Sequence, residues 1–343
     1  MQFTSLKWMC VVLTSSLVGC SQITPLPEHQ VALSQTYPLQ TQGNYQVLSW
    51  DNYVNDQQLI NLVDLALVSN QDLKIASLRI HEAQAAYGIQ RAELFPNIGG
   101  NAGMERNHVP ADLSYVGREM TTSQYSVGLG MNQWELDLWG RIRSLNEAAL
   151  QQFFAVESNV QAVRNSLIQQ TVLSYLTLSE LDKRIYFAQR SVQNYEKSVR
   201  LFKRRYEVGA SSKVEYMQAK TMLSNGQALV TQLEKSRALT ANYLVQLVGQ
   251  PTSLHQTDLD QVTFKTGVLH TGLPSDLLLN RADIRASEAM LKSKHANINA
   301  ARAAFFPRIT LTGSLGTASA DLDGLFKSDR KSTRLNSSHL HVS

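Results

Sequence analysis

The sequence predicts an α+β fold in which long coiled-coil helical hairpins are joined to short alternating strands. Three observations predict it. Residues 141–208 contain neither Gly nor Pro, and a helix of that length would run about 102 Å, more than a compact domain accommodates. Short segments of period two flank polar loops. A helix, a Phe-Pro break and a strand also occur together twice, the second time incompletely.

The elements follow in chain order. Lys7 and the apolar stretch Trp8 to Leu13 read as a short secretory signal, too brief to span a membrane as a mature helix. It ends in Leu17-Val18-Gly19-Cys20, which looks like a bacterial lipobox. Small residues there admit a peptidase, and the Cys20 thiol would carry a diacylglycerol, with amine acylation completing a stable anchor. Ser21 stands where Asp would signal inner-membrane retention. Pro25, Pro27 and Pro38 mark the next stretch as an extended tether.

Helical seams come next. Leu73, Ala76, Ile80, Ala83 and Tyr87 share one face of a run over 72–94. In the long run, Leu178, Leu181, Ile185, Ala188, Val192, Tyr195, Val199, Phe202 and Tyr206 alternate steps of three and four, a coiled-coil pattern. Gly209-Ala210-Ser211-Ser212 stops it, and a second helix follows over 213–248. Gly suits a left-handed C-cap and Ser an N-cap, so the two helices form an antiparallel hairpin.

Between helices, Tyr125, Val127, Leu129 and Met131 alternate with Ser126, Gly128, Gly130 and Asn132. Ile98, Gly100, Ala102 and Met104 do so more weakly. Segments of about ten residues suit tilted transmembrane strands. Alternation alone fits a soluble hairpin equally well.

Arg91-Ala92-Glu93-Leu94-Phe95-Pro96-Asn97-Ile98 recurs as Arg302-Ala303-Ala304-Phe305-Phe306-Pro307-Arg308-Ile309, an offset of 211. Pro cannot continue a helix interior and so marks the helix-to-strand junction. The second copy stops early. We read residues 1–19 as signal peptide, 20–55 as lipidated tether, and 56–250 as the first repeat. Its strands lie near 97–106 and 123–133 and its hairpin over 141–248. Residues 251–280 read as a connector and 281–328 as the start of a second repeat. The last stretch, 329–343, follows no pattern in the chain and reads as a non-native tail, such as translated adaptor read-through.

Composition excludes several functions. Removing Lys7, Lys331 and Arg334 from the 32 basic residues leaves 29 against 28 acidic, no electrostatic footprint for nucleic acid. Both Cys lie at or before Cys20, so no mature thiol serves as nucleophile or metal ligand. His81-Glu82 lacks a second His one turn on. Glu135 and Asp137 could suggest a carboxylate pair, but at a strand-to-helix junction Asp137 reads better as a helix cap. Gly99-Gly100 and Gly128-Leu129-Gly130 lack the strand-loop-helix phosphate pattern. Lys203-Arg204-Arg205 reads as a solvated face. No enzyme, metal or cofactor is indicated.

Several runs carry a resemblance. They are the lipobox at Cys20, Ile89-Gln90-Arg91-Ala92-Glu93-Leu94-Phe95-Pro96, and Trp134-Glu135-Leu136-Asp137-Leu138-Trp139-Gly140-Arg141. Gly272-Leu273-Pro274-Ser275-Asp276-Leu277-Leu278 and Ala300-Ala301-Arg302-Ala303-Ala304-Phe305-Phe306-Pro307 complete the set. The chain resembles the TolC-like outer-membrane factors, in particular the lipoprotein branch serving multidrug efflux pumps of the resistance-nodulation-division type. Ala282 departs from the pattern, which usually has Pro there.

The resemblance implies an α+β membrane protein. Each full protomer of a homotrimer would give four strands to a shared twelve-stranded β-barrel, and long helices to a periplasmic α-barrel. It implies a passive conduit in the outer membrane of a Gram-negative bacterium, lipid-anchored and working with a periplasmic adaptor protein and an inner-membrane efflux pump. Arg205, Tyr206, Gly209, Ala210, Ser211 and Ser212 would meet the adaptor; the bland alternative makes them only a helix ending and a cap. The family's gate residues belong to the second hairpin, so none is named. The competing reading is a lipid-anchored periplasmic coiled-coil scaffold without channel activity. Conduits for protein secretion or metal efflux stay within the family.

Palmitate supplied to a Gram-negative host expressing the chain should label it, and Cys20→Ser should remove the label. Persistent labelling of the variant would place the lipid elsewhere.

Overall fold

The computed structural model describes residues 24–25, 50–252, 275–327 and 331–337. Cys20, the signal, most of the expected tether and most of the expected connector lie outside them. The chain divides into two compact units, one containing residues 31–80 and 157–285 and the other 1–30, 81–156 and 286–343.

The first unit is built on a helical hairpin. Helix α1 (Gln57–Ser69) is followed directly by α2 (Gln71–Ala92), whose first half belongs here. The long helix α3 (Arg141–Glu207) runs unbroken for 67 residues and contributes its C-terminal part, and α4 (Lys213–Val248) returns beside it. The expected hairpin is thus present with its ends within a residue of expectation. Its seam faces the partner helix: Leu178, Leu181 and Ile185 are buried, and Leu181 and Ile185 pack with Leu233 of α4. Asp182 of α3 and Arg237 of α4 form an ion pair with the Asp side chain only 8% exposed. Such a pair fixes register, because a slip by one residue would bury an unpartnered carboxylate.

Helix α1 begins where the first repeat was expected to start, but the tether expected over 20–55 is ordered at its end. Trp50–Tyr53 is a turn of 3-10 helix, and Val54 is a core residue. Asp56 caps α1, accepting from the backbone N–H of Gln58 and Leu59, while its other oxygen accepts from the Tyr175 hydroxyl at 2.6 Å. Leu59, Leu62, Val63 and Ala66 then enter one core with Leu167, Tyr175, Leu178, Leu244, Leu247 and Val248. Between α1 and α2, Asn70 is extended and 5% exposed. Its amide donates to the Leu247 carbonyl at 2.8 Å and accepts from the Leu73 N–H at 2.8 Å.

The second unit holds a four-stranded antiparallel sheet of order β1-β2-β3-β4, comprising β1 (Ile98–Val109), β2 (Met120–Glu135), β3 (Thr310–Ser319) and β4 (Lys331–Ser337). The strands correct the expected limits of 97–106 and 123–133: pairing continues through Asn107↔Thr122 to Val109↔Met120. Backbone ladder bonds are indifferent to side-chain polarity, so the ladder outlasts the alternation. The segment read as a non-native tail supplies β4, pairing from Leu311↔Ser337 to Thr317↔Lys331. Helix α5 (Ala282–Ala303) leads through Phe306-Pro307 into β3, as α2 leads through Phe95-Pro96 into β1. No helix among the described residues is long and apolar enough to cross a membrane.

Replacing Asn70 by Ala leaves a buried carbonyl and a helix-start N–H without partners. A loss of about 1–3 kcal/mol is expected in urea unfolding of the purified protein, read by circular dichroism.

Candidate functional site

Two surfaces emerge from these elements: the faces of the sheet and the tip of the hairpin. On the sheet, directly paired residues share a face. Ile98 stands opposite Met131, Met104 opposite Tyr125, Ala102 opposite Val127, and Leu129 opposite Leu315. This face is apolar yet open, with Ile98 67%, Leu129 57% and Leu315 56% exposed. The other face carries Gly99 with Gly130, Asn101 with Gly128, Gly103 with Ser126, and Glu105 with Gln124. A sheet that shows apolar residues outward and small polar ones on its reverse fits lipid on one side and water on the other. The glycines permit close strand approach: a Cβ on Gly316 would lie 2.8 Å from the Val127 carbonyl oxygen.

At its end near the helices, β2 contains a bulge between Met131 and Trp134, with Gln133 at φ 45°. The extra residue turns the strand, and the chain becomes α3 within a few residues. Asp137 accepts from the backbone N–H of Ile142 and Arg143, each at 2.9 Å. It is a helix cap, and no carboxylate dyad forms with Glu135. Glu135 instead holds Arg141 through two bonds of 2.9 and 2.7 Å. That contact raises the Arg141 pKa further above its ordinary value. Trp139 donates from Nε1 to the Pro307 carbonyl at 2.9 Å and stacks on Phe306 at 4.9 Å. The strand-to-helix passage from β2 to α3 is therefore clasped to the Phe-Pro break of the second copy.

At the tip, Gly209 takes φ 76°. Its N–H donates to the Tyr206 carbonyl at 3.0 Å, and the Ala210 N–H donates to the Arg205 carbonyl at 2.8 Å. This is a Schellman ending, which leaves few orphan carbonyls. Ser212 is the N-cap of α4 in a reciprocal capping box with Glu215: Glu215 N–H to Ser212 Oγ at 3.2 Å, Ser212 N–H to Glu215 Oε2 at 3.1 Å. Ser211 donates its hydroxyl to the same carboxylate oxygen. That bond first, then the Ser212 N–H and the nearby Arg205 charge, lower the Glu215 pKa. Tyr206 and Tyr216 stack across the hairpin at 6.1 Å. Val208 and Val214 are exposed beside them. Behind the tip, Tyr195, Phe202, Val214, Met217 and Met222 line an apolar groove of about 1010 Å³. All six residues expected at the tip stand together there, Ser211 and Ser212 through hydrogen bonds that the sequence only partly foretold.

A protein-family model described as outer membrane efflux protein matches residues 62–250 and 273–343. The chain belongs to the outer membrane efflux protein family. It is 36% identical over 339 residues to the solvent efflux pump outer membrane protein SrpC of Pseudomonas putida, covering 96% of this chain and 71% of that one. To the outer membrane protein OprJ of Pseudomonas aeruginosa it is 36% identical over 287 residues, covering 83% of this chain and 60% of that one. Among solved structures, a membrane protein of Pseudomonas aeruginosa superposes with TM-score 0.83 at 33% identity, covering 94% of this chain and 74% of that one. The open state of the MtrE outer membrane channel of Neisseria gonorrhoeae gives 0.79 at 33% identity, covering 94% of this chain and 73% of that one. This outer-membrane efflux family is one of channel components rather than of enzymes.

Because its hydrogen bonds lower the Glu215 pKa, the cap is complete above the ordinary glutamate range and is lost as pH falls through the lowered value. Hydrogen exchange at the amides of 212–216, corrected for intrinsic rate, should show protection falling on the acid side. Glu215→Gln should weaken protection at neutral pH and abolish that dependence.

Proposed function

We propose that this outer-membrane efflux protein is the channel component of a tripartite efflux system, a passive conduit through which drugs and other small molecules leave across the outer membrane. The observation that carries the reading is the two-faced sheet, apolar and open on one side and small and polar on the other. Three copies of four strands would supply the twelve of a shared β-barrel, which removes every strand edge. Homotrimer assembly, a lipid anchor at Cys20 and extension of the helices into the periplasm complete the proposal. The likeness to the solvent efflux pump outer membrane protein SrpC and to the MtrE outer membrane channel supports it.

The partners are a periplasmic adaptor protein, met by Arg205, Tyr206, Gly209, Ala210, Ser211 and Ser212, and an inner-membrane efflux pump. A rigid tip with exposed Val208 and Val214 supports adaptor contact. The scaffold alternative leaves the exposed apolar face of the sheet without a purpose. No gate residue is assigned.

Deleting the gene from its host should raise susceptibility to exported drugs, and supplying the chain should restore tolerance. Gly209→Trp should fail to restore it although the variant reaches the outer membrane at wild-type level. Full tolerance with Gly209→Trp would count against adaptor contact, and unchanged drug accumulation on deletion would favour the scaffold.

A further inference from the structure

The second copy of the helix-strand unit holds something that the first copy does not. On α5, Asn299 is 5% exposed, although nothing about a helix facing solvent requires a buried amide there. Both ends of that amide are occupied by one residue 275 positions away. Thr24 donates its hydroxyl to Asn299 Oδ1 at 2.9 Å, and Asn299 Nδ2 donates to the Thr24 carbonyl at 3.1 Å. One turn on, Arg302 donates from Nη1 to the Thr24 hydroxyl oxygen at 2.7 Å. Residues three apart lie on one helix face, so Asn299 and Arg302 form a two-point grip. The Thr24 hydroxyl is used as donor and as acceptor, and its carbonyl as acceptor. Few residues other than Ser could make the same three bonds.

Local sequence prepares the ligand. Pro25 follows Thr24, and a residue before Pro is driven to extended backbone, which turns its carbonyl outward rather than into a helical bond. The repeat supplies an internal control. At the offset of 211, Arg302 corresponds to Arg91, but Asn299 corresponds to Gly88. Gly88 is exposed, and a Cβ built there meets nothing within 4 Å. The first copy thus keeps the cation and lacks the amide. A grip meant only to stabilise a helix before a Phe-Pro break would be expected in both copies. It occurs only where the N-terminal segment arrives.

We infer that Asn299 and Arg302 are a docking site for the chain's own N-terminal segment, with Thr24 as the keyed residue, and that this grip fixes where the lipid-bearing end of the chain meets the membrane. Cys20 is four residues from Thr24, at most about 14 Å of extended chain. The grip lies in the last turn of α5, just before Phe306-Pro307 and the start of β3. The acyl chains are thereby held close to the level at which the sheet begins, rather than roaming at the end of a tether of 35 residues. The inference rests on the lipid-anchored conduit reading for its purpose, but the docking itself does not.

The test is thiol cross-linking in outer-membrane fractions of cells expressing the full chain and fed labelled palmitate. Once Cys10 leaves with the signal and Cys20 is acylated, introduced thiols are the only free ones. Pro25→Cys combined with Ile298→Cys, or separately with Ala301→Cys, leaves Thr24, Asn299 and Arg302 in place and should be joined by a short bifunctional maleimide in most chains. Pro25→Cys combined with Gly88→Cys should stay at background. Absence of both expected cross-links, or equal yield at Gly88, overturns the docking site. A variant that keeps α5 intact gives a second reading: Thr24→Val should speed protease cleavage within 21–30 several-fold, and Thr24→Ser should not. Equal cleavage in Thr24→Val and wild type also overturns it. Cross-linking without palmitate label would keep the docking site and sink the anchor at Cys20; label without cross-linking would do the reverse.

Discussion

The passage from β2 to α3 is the constraint on which the rest depends. Within Leu136 to Gly140 the chain changes from a period of two to a period of 3.6, and each backbone group freed by the change must find a partner. Asp137 supplies two acceptor oxygens to the first turn of α3, and the Leu136 N–H donates to the Ile309 carbonyl at 2.8 Å. Gly140 takes φ 79°, a conformation that other residues rarely adopt. A cap of this kind is worth about 1 kcal/mol by itself. Its larger effect is local order. The Glu135–Arg141 pair and the Trp139–Pro307 bond tie the first turn of α3 to the end of the sheet, within the unit that holds both.

Duplication supplies this junction with its opposite wall. Phe306 and Pro307 belong to the second copy; the first copy's Phe95 has no such neighbour among the described residues and is 64% exposed. The same short motif therefore serves one role locally, breaking a helix, and another only once it is paired with Trp139. Divergence between the copies is where function has room to differ. Gly88 and Asn299 are the sharpest case, because one leaves open space and the other holds a remote segment of the chain.

Most of the helical architecture was legible in the sequence. A run without Gly or Pro, with steps of three and four, has no other regular solution, and Gly209 with Ser212 marks the turn by side-chain chemistry alone. The cap at Asp137 was legible for the same local reason. What escaped was set at a distance. Helix α1 follows a proline-rich stretch that draws the eye to a tether, although Asp56 and the spacing of Leu59, Leu62, Val63 and Ala66 are those of a capped helix. Asn70 and Asn299 make their decisive bonds to residues 177 and 275 positions away, which no local pattern reveals. The strand ends and β4 are held by ladder bonds that carry no side-chain signature, and the bulge at Gln133 has none either. The proposed anchor, Cys20, was legible as a motif and lies outside the described residues.

Burial along the hairpin explains why its tip is built from caps. The seam of α3 is 3% exposed at Leu178, 7% at Leu181 and 9% at Ile185, and only partly buried from Ala188 to Phe202. Leu201, Val214 and Met222 are more than half exposed. Two helices meet along a single seam, and a lone pair of them leaves the remaining apolar faces in water. Register is then held by point contacts: the Asp182–Arg237 ion pair, the Tyr195 ring against Gly226, and the Tyr206–Tyr216 stack. A Cβ on Gly226 would lie 3.1 Å from that ring, so the helices can approach there only because the side chain is missing. Beyond it, over residues 196–225, Ala219 is the one buried side chain, too little to stiffen the turn. The Schellman ending and the capping box do so by satisfying backbone groups, which needs no burial at all. A tip stiffened in this way keeps its shape while its apolar side chains stay available, and that combination suits a surface made to be met end-on by another protein.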